Sequence, residues 1–235
     1  MRITHHETID STNLEAHRLV AAGERGPLWI LAGEQTAGRG RLGRTWVSKP
    51  GNLYSTLIWP TAAPVQNLGQ LSFVASLAVA EAAEKFVRPG AITLKWPNDC
   101  LLDGHKFCGI LTENLITLNN GCIIAVGIGI NVDYVPDNLP YKAERLTGAD
   151  LHQLFQELSA SLSKWLEIWD EGLGFADIAS AWEKRCRHIG LRVKIGEENG
   201  TFVGLAADGA LLLKKSASEI KPIYAGDMRV EYQAI

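Results

Sequence analysis

The residues best suited to chemistry in this chain of 235 residues lie between Gly38 and Trp46, in the sequence Gly-Arg-Gly-Arg-Leu-Gly-Arg-Thr-Trp. Its glycines let the backbone approach a ligand closely. Its arginines offer fork-shaped sets of N–H donors for anionic oxygens. The segment is neither a P-loop, because no Gly-Lys-Ser/Thr follows, nor a dinucleotide-binding turn, because a long loop comes next. A flexible basic surface loop and an RNA-binding stretch are the alternative interpretations.

Two further groups of polar residues stand beside expected strands. Lys95-Trp96-Pro97-Asn98-Asp99 places a lysine, an amide and a carboxylate at a strand end, where ligands are often bound. Pro-Asn-Asp is also common turn chemistry, so a solvated turn is the alternative. Lys106 follows a hairpin turn predicted at Asp103-Gly104. The apolar residues after Lys106 would hold the base of its side chain rigidly.

Glycines interrupt another apolar strand, in the sequence Gly127-Ile128-Gly129-Ile130-Asn131. Glycine inside a strand weakens packing and often marks the close approach of a ligand or of another backbone. A bend or bulge in the sheet predicts the same pattern. Position in the sequence does not decide between the two interpretations.

Composition excludes several classes of function. The net charge is −3, with 46% hydrophobic and 21% charged residues, as in ordinary soluble proteins. A general nucleic-acid-binding protein is usually far more basic, which argues against the RNA-binding interpretation. No signal peptide or membrane-spanning stretch is recognisable. The 4 cysteines form no Cys-x-x-Cys pair, so we expect free thiols in a reducing cytosol and no metal site.

The expected elements describe an α+β domain followed by a smaller β-rich one. Hydrophobic patterns predict strands over 3–9, 28–32, 52–59, 92–96, 100–102, 107–112 and 122–130. They predict helices over 12–23, 65–87, 151–171 and 175–188. A capping-box pattern marks the first helix at Thr12 and Glu15, and Pro60 is expected to end the third strand. Turns at 198–200, 208–209 and 225–227 predict a small barrel-like domain, so we place the domains at 1–188 and 189–235.

Together these segments resemble the biotin–protein ligase family. The resemblance rests on Asp10 to Asn13, Glu34 to Trp46, Lys95 to Asp99, the Lys106 region and Gly127 to Asn131, which follow the family's order and spacing. The carboxy-terminal strands are similar to its SH3-like domain. The resemblance implies a mixed or antiparallel sheet with helices, of the class II aminoacyl-tRNA synthetase type. It also implies biotin, ATP and Mg²⁺, a biotin carboxyl carrier protein as partner, and a cytoplasmic location.

The reaction implied by the resemblance has two steps. Biotin's carboxylate attacks the α-phosphate of ATP, giving biotinyl-AMP and pyrophosphate, and a carrier lysine then attacks the mixed anhydride. Positioning and cationic stabilisation should dominate both steps. The catalytic residues implied are Lys106, Arg41 and Asp99. The binding residues implied are Ser11, Thr12, Asn13, Gln35, Gly38, Arg39, Gly40, Arg41, Trp46, Lys95, Asn98, Lys106, Gly109, Gly127, Ile128, Gly129 and Asn131.

The resemblance also assigns places within the site. Residues 11–13 and Gln35 are expected at the ureido end of biotin, Gly127 and its neighbours along the valeryl chain, and Trp46 and Asn131 on the adenine side. Gly109 is expected to let the backbone approach the ligand closely. Asp99 is expected either to act on the incoming lysine or to support the strand end.

Some members of the family repress transcription through an amino-terminal winged helix. The first expected strand begins at the start of this chain, so no DNA binding is expected. Family members are monomers or dimers, which leaves a homodimer open. Lys221 and Arg229 are candidates for a nucleotide contact from the smaller domain.

The nearest rival function is that of a lipoate or octanoate transferring enzyme, whose arginine–glycine–histidine signature is absent here. A third alternative is a ligand-binding protein without catalysis, which Lys106 disfavours.

An acyl adenylate is destroyed by water, so a loop that closes over it would protect the intermediate. We therefore predict that residues 36–51 exchange amide hydrogens faster in the free protein than with biotin bound. Hydrogen–deuterium exchange followed by mass spectrometry measures this directly. Equal protection of the loop with and without biotin would contradict the prediction.

Overall fold

The computed structural model describes residues 1–231. Its larger sheet consists of β1 (Arg2–Ile9), β2 (Leu28–Gln35), β3 (Leu53–Thr61), β4 (Ile92–Lys95), β5 (Asp99–Leu102), β6 (His105–Leu118) and β7 (Gly121–Ile130). The seven strands lie in the order β1-β2-β3-β7-β6-β5-β4. Within the described residues, β1 and β2 pair in parallel and the other neighbours pair antiparallel. The expected mixed sheet is confirmed.

Helices cover both faces of this sheet. The chain forms α1 (Thr12–Ala21), α2 (Leu71–Ala83), α3 (Leu151–Trp169) and α4 (Phe175–Arg185). Eleven of the 13 residues of α2 are buried, as expected for a helix that is apolar on all sides. It packs between the sheet and the layer formed by α3 and α4. The opposite face of the sheet is covered by α1, which buries a smaller apolar cluster against alternate strand residues.

Several predicted boundaries are wrong, for local reasons. Ser11 caps α1 in place of Thr12, because its backbone is extended and its Oγ accepts from Leu14 N at 3.5 Å. The strand β3 continues through Pro60, which pairs with Ile123 on β7. Pairing of β3 with β2 ends at Ile58, so the missing N–H of proline faces an unpaired edge.

Other boundaries move by a few residues. The helix expected over 65–87 is a 3₁₀ segment, Val65–Gln70, followed by α2. Residues 198–200 lie inside a strand and not in a turn. The turn lies at residues 196–197, where Gly196 supplies a left-handed conformation, with φ of 59°, for a two-residue hairpin loop.

The carboxy-terminal part forms a second, antiparallel sheet. Its strands are β8 (Arg192–Ile195), β9 (Glu198–Leu205), β10 (Leu211–Lys214), β11 (Ile220–Ile223) and β12 (Met228–Val230), in the order β11-β10-β9-β8-β12. It contacts the larger part through hydrogen bonds from Trp96 Nε1 to Gly209 O (3.4 Å) and from Leu205 N to Glu183 Oε1 (2.8 Å). The predicted boundary after residue 188 lies between α4 and β8. Residues 232–235 of the predicted domain lie outside the described residues.

Across residues 1–231, no helix is both long and apolar enough to cross a bilayer.

Candidate active site

A cavity of about 1160 Å³ lies where the arginine-rich loop meets β4–β7 and the smaller domain. It brings together residues from separate sequence segments between Ser11 and Val230, including the predicted motifs. The predicted residues that line it are Ser11, Thr12, Asn13, Gln35, Arg39, Gly40, Arg41, Trp46, Lys95, Asn98, Asp99, Lys106, Gly109, Gly127, Ile128 and Gly129.

Lys106 and Asp99 form an ion pair inside this cavity. Lys106 Nζ lies 2.6 Å from Asp99 Oδ1, and 18% and 20% of their side-chain surfaces are exposed. The ammonium group also lies over two aromatic rings, 5.5 Å from the centroid of Trp46 and 5.4 Å from that of Tyr141. The lysine is therefore held among anionic and aromatic partners and is not a solvated surface charge.

A β-bulge at Phe107 turns Lys106 towards the cavity. Gly109 pairs with Asp99, but the register then shifts, so that Lys106 and not Phe107 pairs with Leu101. In a regular strand Phe107 would share the face of Gly109. The bulge buries Phe107 completely and brings Lys106 Cε within 3.5 Å of the position a Cβ on Gly109 would occupy. Bulges of this kind often re-aim a side chain near an active site.

The protonation state of Lys106 reflects two opposing effects. Burial lowers its pKa, because a charged ammonium loses hydration. The charge of Asp99 and its hydrogen bond raise the pKa, with smaller contributions from Tyr141 and Cys108. The net result is a pKa above the ordinary value of 10.5. Lys106 is therefore a cation throughout the neutral range.

The arginines of the loop have three different partners. Arg39 Nη2 donates to Glu113 on β6 at 2.9 Å, and Arg44 Nη2 donates to Asp227 of the smaller domain at 2.8 Å. Arg41 Nη1 donates to the amide oxygen of Asn98 at 2.8 Å. Since Asn98 is neutral, the charge of Arg41 remains uncompensated at this contact. Burial, the largest effect, lowers the pKa of Arg41, while the charges of Asp227 and Asp99 oppose it.

Four lysine and arginine side chains that line the cavity have no carboxylate partner. They are Arg41, Lys95, Lys142 and Arg229, and none forms an ion pair with a carboxylate within 4.0 Å in the part of the chain that the structure describes. Lys221, the other candidate from the smaller domain, pairs instead with Glu198 at 2.6 Å. Unpaired cations in a concave site favour an anionic ligand.

At the opposite end of the cavity, neutral polar groups form a connected cluster. Thr56 Oγ1 lies 2.7 Å from Asn13 Oδ1 and 2.8 Å from Thr12 Oγ1. Gln35 Oε1 accepts from Thr12 N at 2.9 Å, while its Nε2 donates to Ser48 Oγ at 2.8 Å. These contacts fix the positions of a buried hydroxyl and two amides. The cluster offers both donors and acceptors to a polar ligand.

The glycines of the strands make room for protein side chains. A Cβ on Gly127 would lie 2.1 Å from Asn13 Oδ1, and one on Gly129 would lie 2.6 Å from Trp46 Nε1. A Cβ on Gly109 would lie 3.0 Å from the same indole. Gly109 and Gly129 are paired across β6 and β7, so together they form the flat surface on which Trp46 rests. The glycines line the cavity, but their direct contacts are with Asn13 and Trp46.

Two predicted residues do not line the main cavity. Gly38 is buried beneath the loop, where a Cβ would lie 2.3 Å from Trp46 O. Asn131 donates through Nδ2 to Glu144 O at 3.1 Å and through its backbone to Phe107 O at 2.8 Å. Asn131 borders a small adjoining space of about 30 Å³ that Trp46 also lines. Both residues support the loops around the site.

Other residues of the site carry no recognisable motif. Thr56 and Glu113 lie within strands and join the cluster only through sheet pairing. A polar residue inside the apolar strand β3 is the signal that points to Thr56. His188 lines the cavity beside the smaller domain, where burial, and then the charge of Lys95, lower its pKa. No sequence signal distinguishes His188 from a surface histidine.

Comparison with known proteins identifies the family. The model of the biotin/lipoate A/B protein ligase family matches residues 6–131, and that of the biotin protein ligase C-terminal domain matches residues 188–230. A biotin–[acetyl-CoA-carboxylase] ligase of Paracoccus denitrificans is 38% identical over 88% of this chain and 92% of the relative. The chain belongs to the biotin protein ligase family. The predicted family, fold class and enzyme class, a ligase, are confirmed.

Solved and bifunctional relatives agree with this assignment. The biotin protein ligase of Aquifex aeolicus, solved in complex with biotin and ATP, has a TM-score of 0.80 and 30% identity, with 99% of each chain covered. The bifunctional ligase/repressor BirA of Escherichia coli strain K12 is 33% identical over 94% of this chain and 71% of its own length. The similarity to these biotin protein ligases therefore extends across both parts of the chain.

Substitution of Gly127 by alanine tests the packing of Asn13. The new Cβ would displace the Asn13 amide, so we expect weaker biotin binding with the fold retained. Isothermal titration calorimetry measures the affinity. Gly69→Ala is the matched control, because a Cβ there meets nothing within 4 Å. Equal biotin affinity in Gly127→Ala and the wild type would contradict this account.

Substitution of Asp99 by asparagine tests the control of Lys106. This substitution removes the charge of Asp99, which contributes most to raising the pKa of Lys106. Burial should then bring that pKa below 10.5. The ammonium form is stabilised at low pH and lost as pH rises through its pKa, so the alkaline limb of activity should move to lower pH. The measurement is the pH profile of ATP–pyrophosphate exchange, within the range where circular dichroism shows a folded protein. An unchanged alkaline limb would contradict the proposed control.

Proposed function

We propose that this chain activates biotin with ATP and transfers it to a lysine of a biotin carboxyl carrier protein, within a biotin-dependent carboxylase. Relatives named as biotin–[acetyl-CoA-carboxylase] ligases, from Paracoccus denitrificans and Mycobacterium tuberculosis, support the proposal. The Aquifex aeolicus protein solved with biotin and ATP supports the choice of substrates. The cytoplasm is the proposed compartment, and DNA is not part of the proposal.

The observation that carries the proposal is the arrangement of charge in the cavity. Unpaired cations line the end beside β4 and the smaller domain, and neutral hydrogen-bonding groups line the end beside β2 and β3. A triphosphate suits the cationic end, and a ureido ring suits the neutral end. The volume of about 1160 Å³ exceeds the range of roughly 300–1,000 Å³ usual for one ligand, which leaves space for biotin and a nucleotide together.

In the first step, the biotin carboxylate forms a bond to the α-phosphorus and pyrophosphate leaves. Both reacting groups are anionic, so their approach must be compensated by fixed positive charge. Lys106 supplies that charge when its ammonium moves from Asp99 to the carboxylate and phosphate oxygens. Arg41 adds a second cation, and Arg39 and Gly40 cover the ligands. Lys95 and Asn98 complete the phosphate end.

In the second step, the amine of the carrier lysine attacks the acyl carbon, the acyl–phosphate bond breaks, and AMP leaves. The attacking nitrogen must lose a proton. Asp99 is suited to accept it, because its carboxylate is released when Lys106 contacts the phosphate. Asp99 would then both hold Lys106 before the reaction and serve the incoming amine after activation. An Asp99→Asn variant that transfers biotin normally would exclude the second role.

Mg²⁺ is proposed to arrive with the nucleotide. The carboxylates that line the cavity, Asp99, Asp103 and Asp227, each pair with a lysine or arginine. No group of three or more potential metal ligands occurs within residues 1–231. The site therefore lacks the donors of a dedicated metal cage, whereas Mg²⁺ is commonly held by substrate phosphates and water.

ATP–pyrophosphate exchange tests the function. Biotin should support exchange, whereas lipoate and octanoate should not. Lys106→Ala should reduce the exchange rate by about 100-fold or more, because one fixed electrostatic contact is lost from the transition state. Lys164→Ala is the control, since that lysine pairs with Glu81 on the surface. Exchange with lipoate or octanoate alone would assign the lipoate branch, and exchange unaffected by Lys106→Ala would contradict the role of Lys106.

A further inference from the structure

Glu113 on β6 contacts three polar side chains beside the cluster of Thr12, Asn13 and Gln35. Its Oε2 accepts from Asn13 Nδ2 at 2.7 Å, and its two oxygens lie 3.0 and 2.9 Å from Arg39 Nη2. His17 Nε2 lies 3.9 Å from Oε2. The side chain of Glu113 is 25% exposed and stands behind the residues that line the cavity. Glu113 can therefore act on a ligand only through its neighbours.

The carboxylate determines how the Asn13 amide is oriented. An ionised carboxylate accepts hydrogen bonds and cannot donate them, so Asn13 Nδ2 must face Glu113. Asn13 Oδ1 then faces Thr56 Oγ1, 2.7 Å away. Because an amide oxygen cannot donate, the proton of this hydrogen bond comes from the Thr56 hydroxyl.

The direction of hydrogen-bond donation is also fixed at the next side chain, Thr12. Thr12 Oγ1 lies 2.8 Å from Thr56 Oγ1, whose proton is directed to Asn13. A hydrogen bond between the two hydroxyls must therefore be donated by Thr12. The other acceptor near Thr12 Oγ1 is Gln35 Oε1, at 3.1 Å. With either acceptor the Thr12 proton is directed to the protein, and its lone pairs are left for a ligand.

We propose that Glu113 is a positioning residue that makes the site specific for a ureido N–H. It directs the hydrogen bonds so that Thr12 accepts from the ligand, and it holds Arg39 over the same end of the cavity. The inference rests on the proposed function, because biotin is the ligand that brings the ureido group. A site built to pair with a particular N–H strongly rejects analogues that lack it.

The test compares Glu113→Gln and Glu113→Ala with the wild type. Biotin and a biotin methylated on a ureido nitrogen are the ligands, and calorimetry gives their affinities. Glu24→Gln is the matched control, because Glu24 forms a similar pair with Arg2 on the surface. Kinetic constants for biotin and ATP come from pyrophosphate exchange.

Glu113→Ala should weaken biotin binding on the order of tenfold, as expected for lost charge-assisted hydrogen bonds. It should also reduce the preference for biotin over the methylated analogue, and raise KM for biotin without changing KM for ATP. Glu113→Gln should be intermediate, because its amide oxygen can still accept from Asn13 while its charge on Arg39 is lost. Glu24→Gln should match the wild type.

Wild-type affinity and analogue preference in both Glu113 variants would overturn the inference while leaving the proposed function intact. A fall in kcat with KM for biotin and analogue preference unchanged would also overturn it. Failure of the wild type to bind biotin would overturn the proposed function, and the inference with it. If Glu113→Ala does not fold, Glu113→Gln decides the question alone, since it preserves the size of the side chain.

Discussion

The proposed active site depends on holding a lysine charged where it is largely removed from water. Burial alone would favour the neutral amine of Lys106, and an uncompensated buried cation is costly. Asp99 reverses this preference from 2.6 Å away, so the pKa of Lys106 rises above its ordinary value. The pair forms only because a bulge turns Lys106 to the face of Gly109. The register of β5 and β6 is thus a requirement of the proposed chemistry as well as of the fold.

The arginines around this pair differ in whether they contact a carboxylate or a neutral group. Arg39 and Arg44 are paired with carboxylates and fasten the loop to β6 and to the smaller domain. Arg41 contacts a neutral amide and keeps its charge available. A chain with a net charge of −3 thereby presents a locally cationic cavity. This local excess is what two anionic substrates require before they can react with each other.

The motif residues could be predicted because their chemistry is local: arginines beside glycines, or a lysine behind a turn. The role of a strand glycine could not, because sequence does not say what fills the space beside it. Gly127 and Asn13 meet only after α1 packs on β7, so Gly127 leaves space for a protein side chain as well as lining the cavity. Glu113 and Thr56 likewise become part of the site only because sheet pairing brings their strands together. The predicted strand end at Pro60 was wrong because sequence does not show that the β2 side of β3 is unpaired beyond Ile58.

A crystal structure with a non-hydrolysable sulfamoyl analogue of biotinyl-AMP tests the central claim most directly. The account predicts that Lys106 Nζ leaves Asp99 and contacts the oxygens of the sulfamoyl group, which stand where the α-phosphate would be. It also predicts that Arg41 approaches the same group while the ureido ring lies beside Thr12. An analogue bound in the cavity with Lys106 still paired to Asp99, and without contact to the sulfamoyl oxygens, would contradict the account.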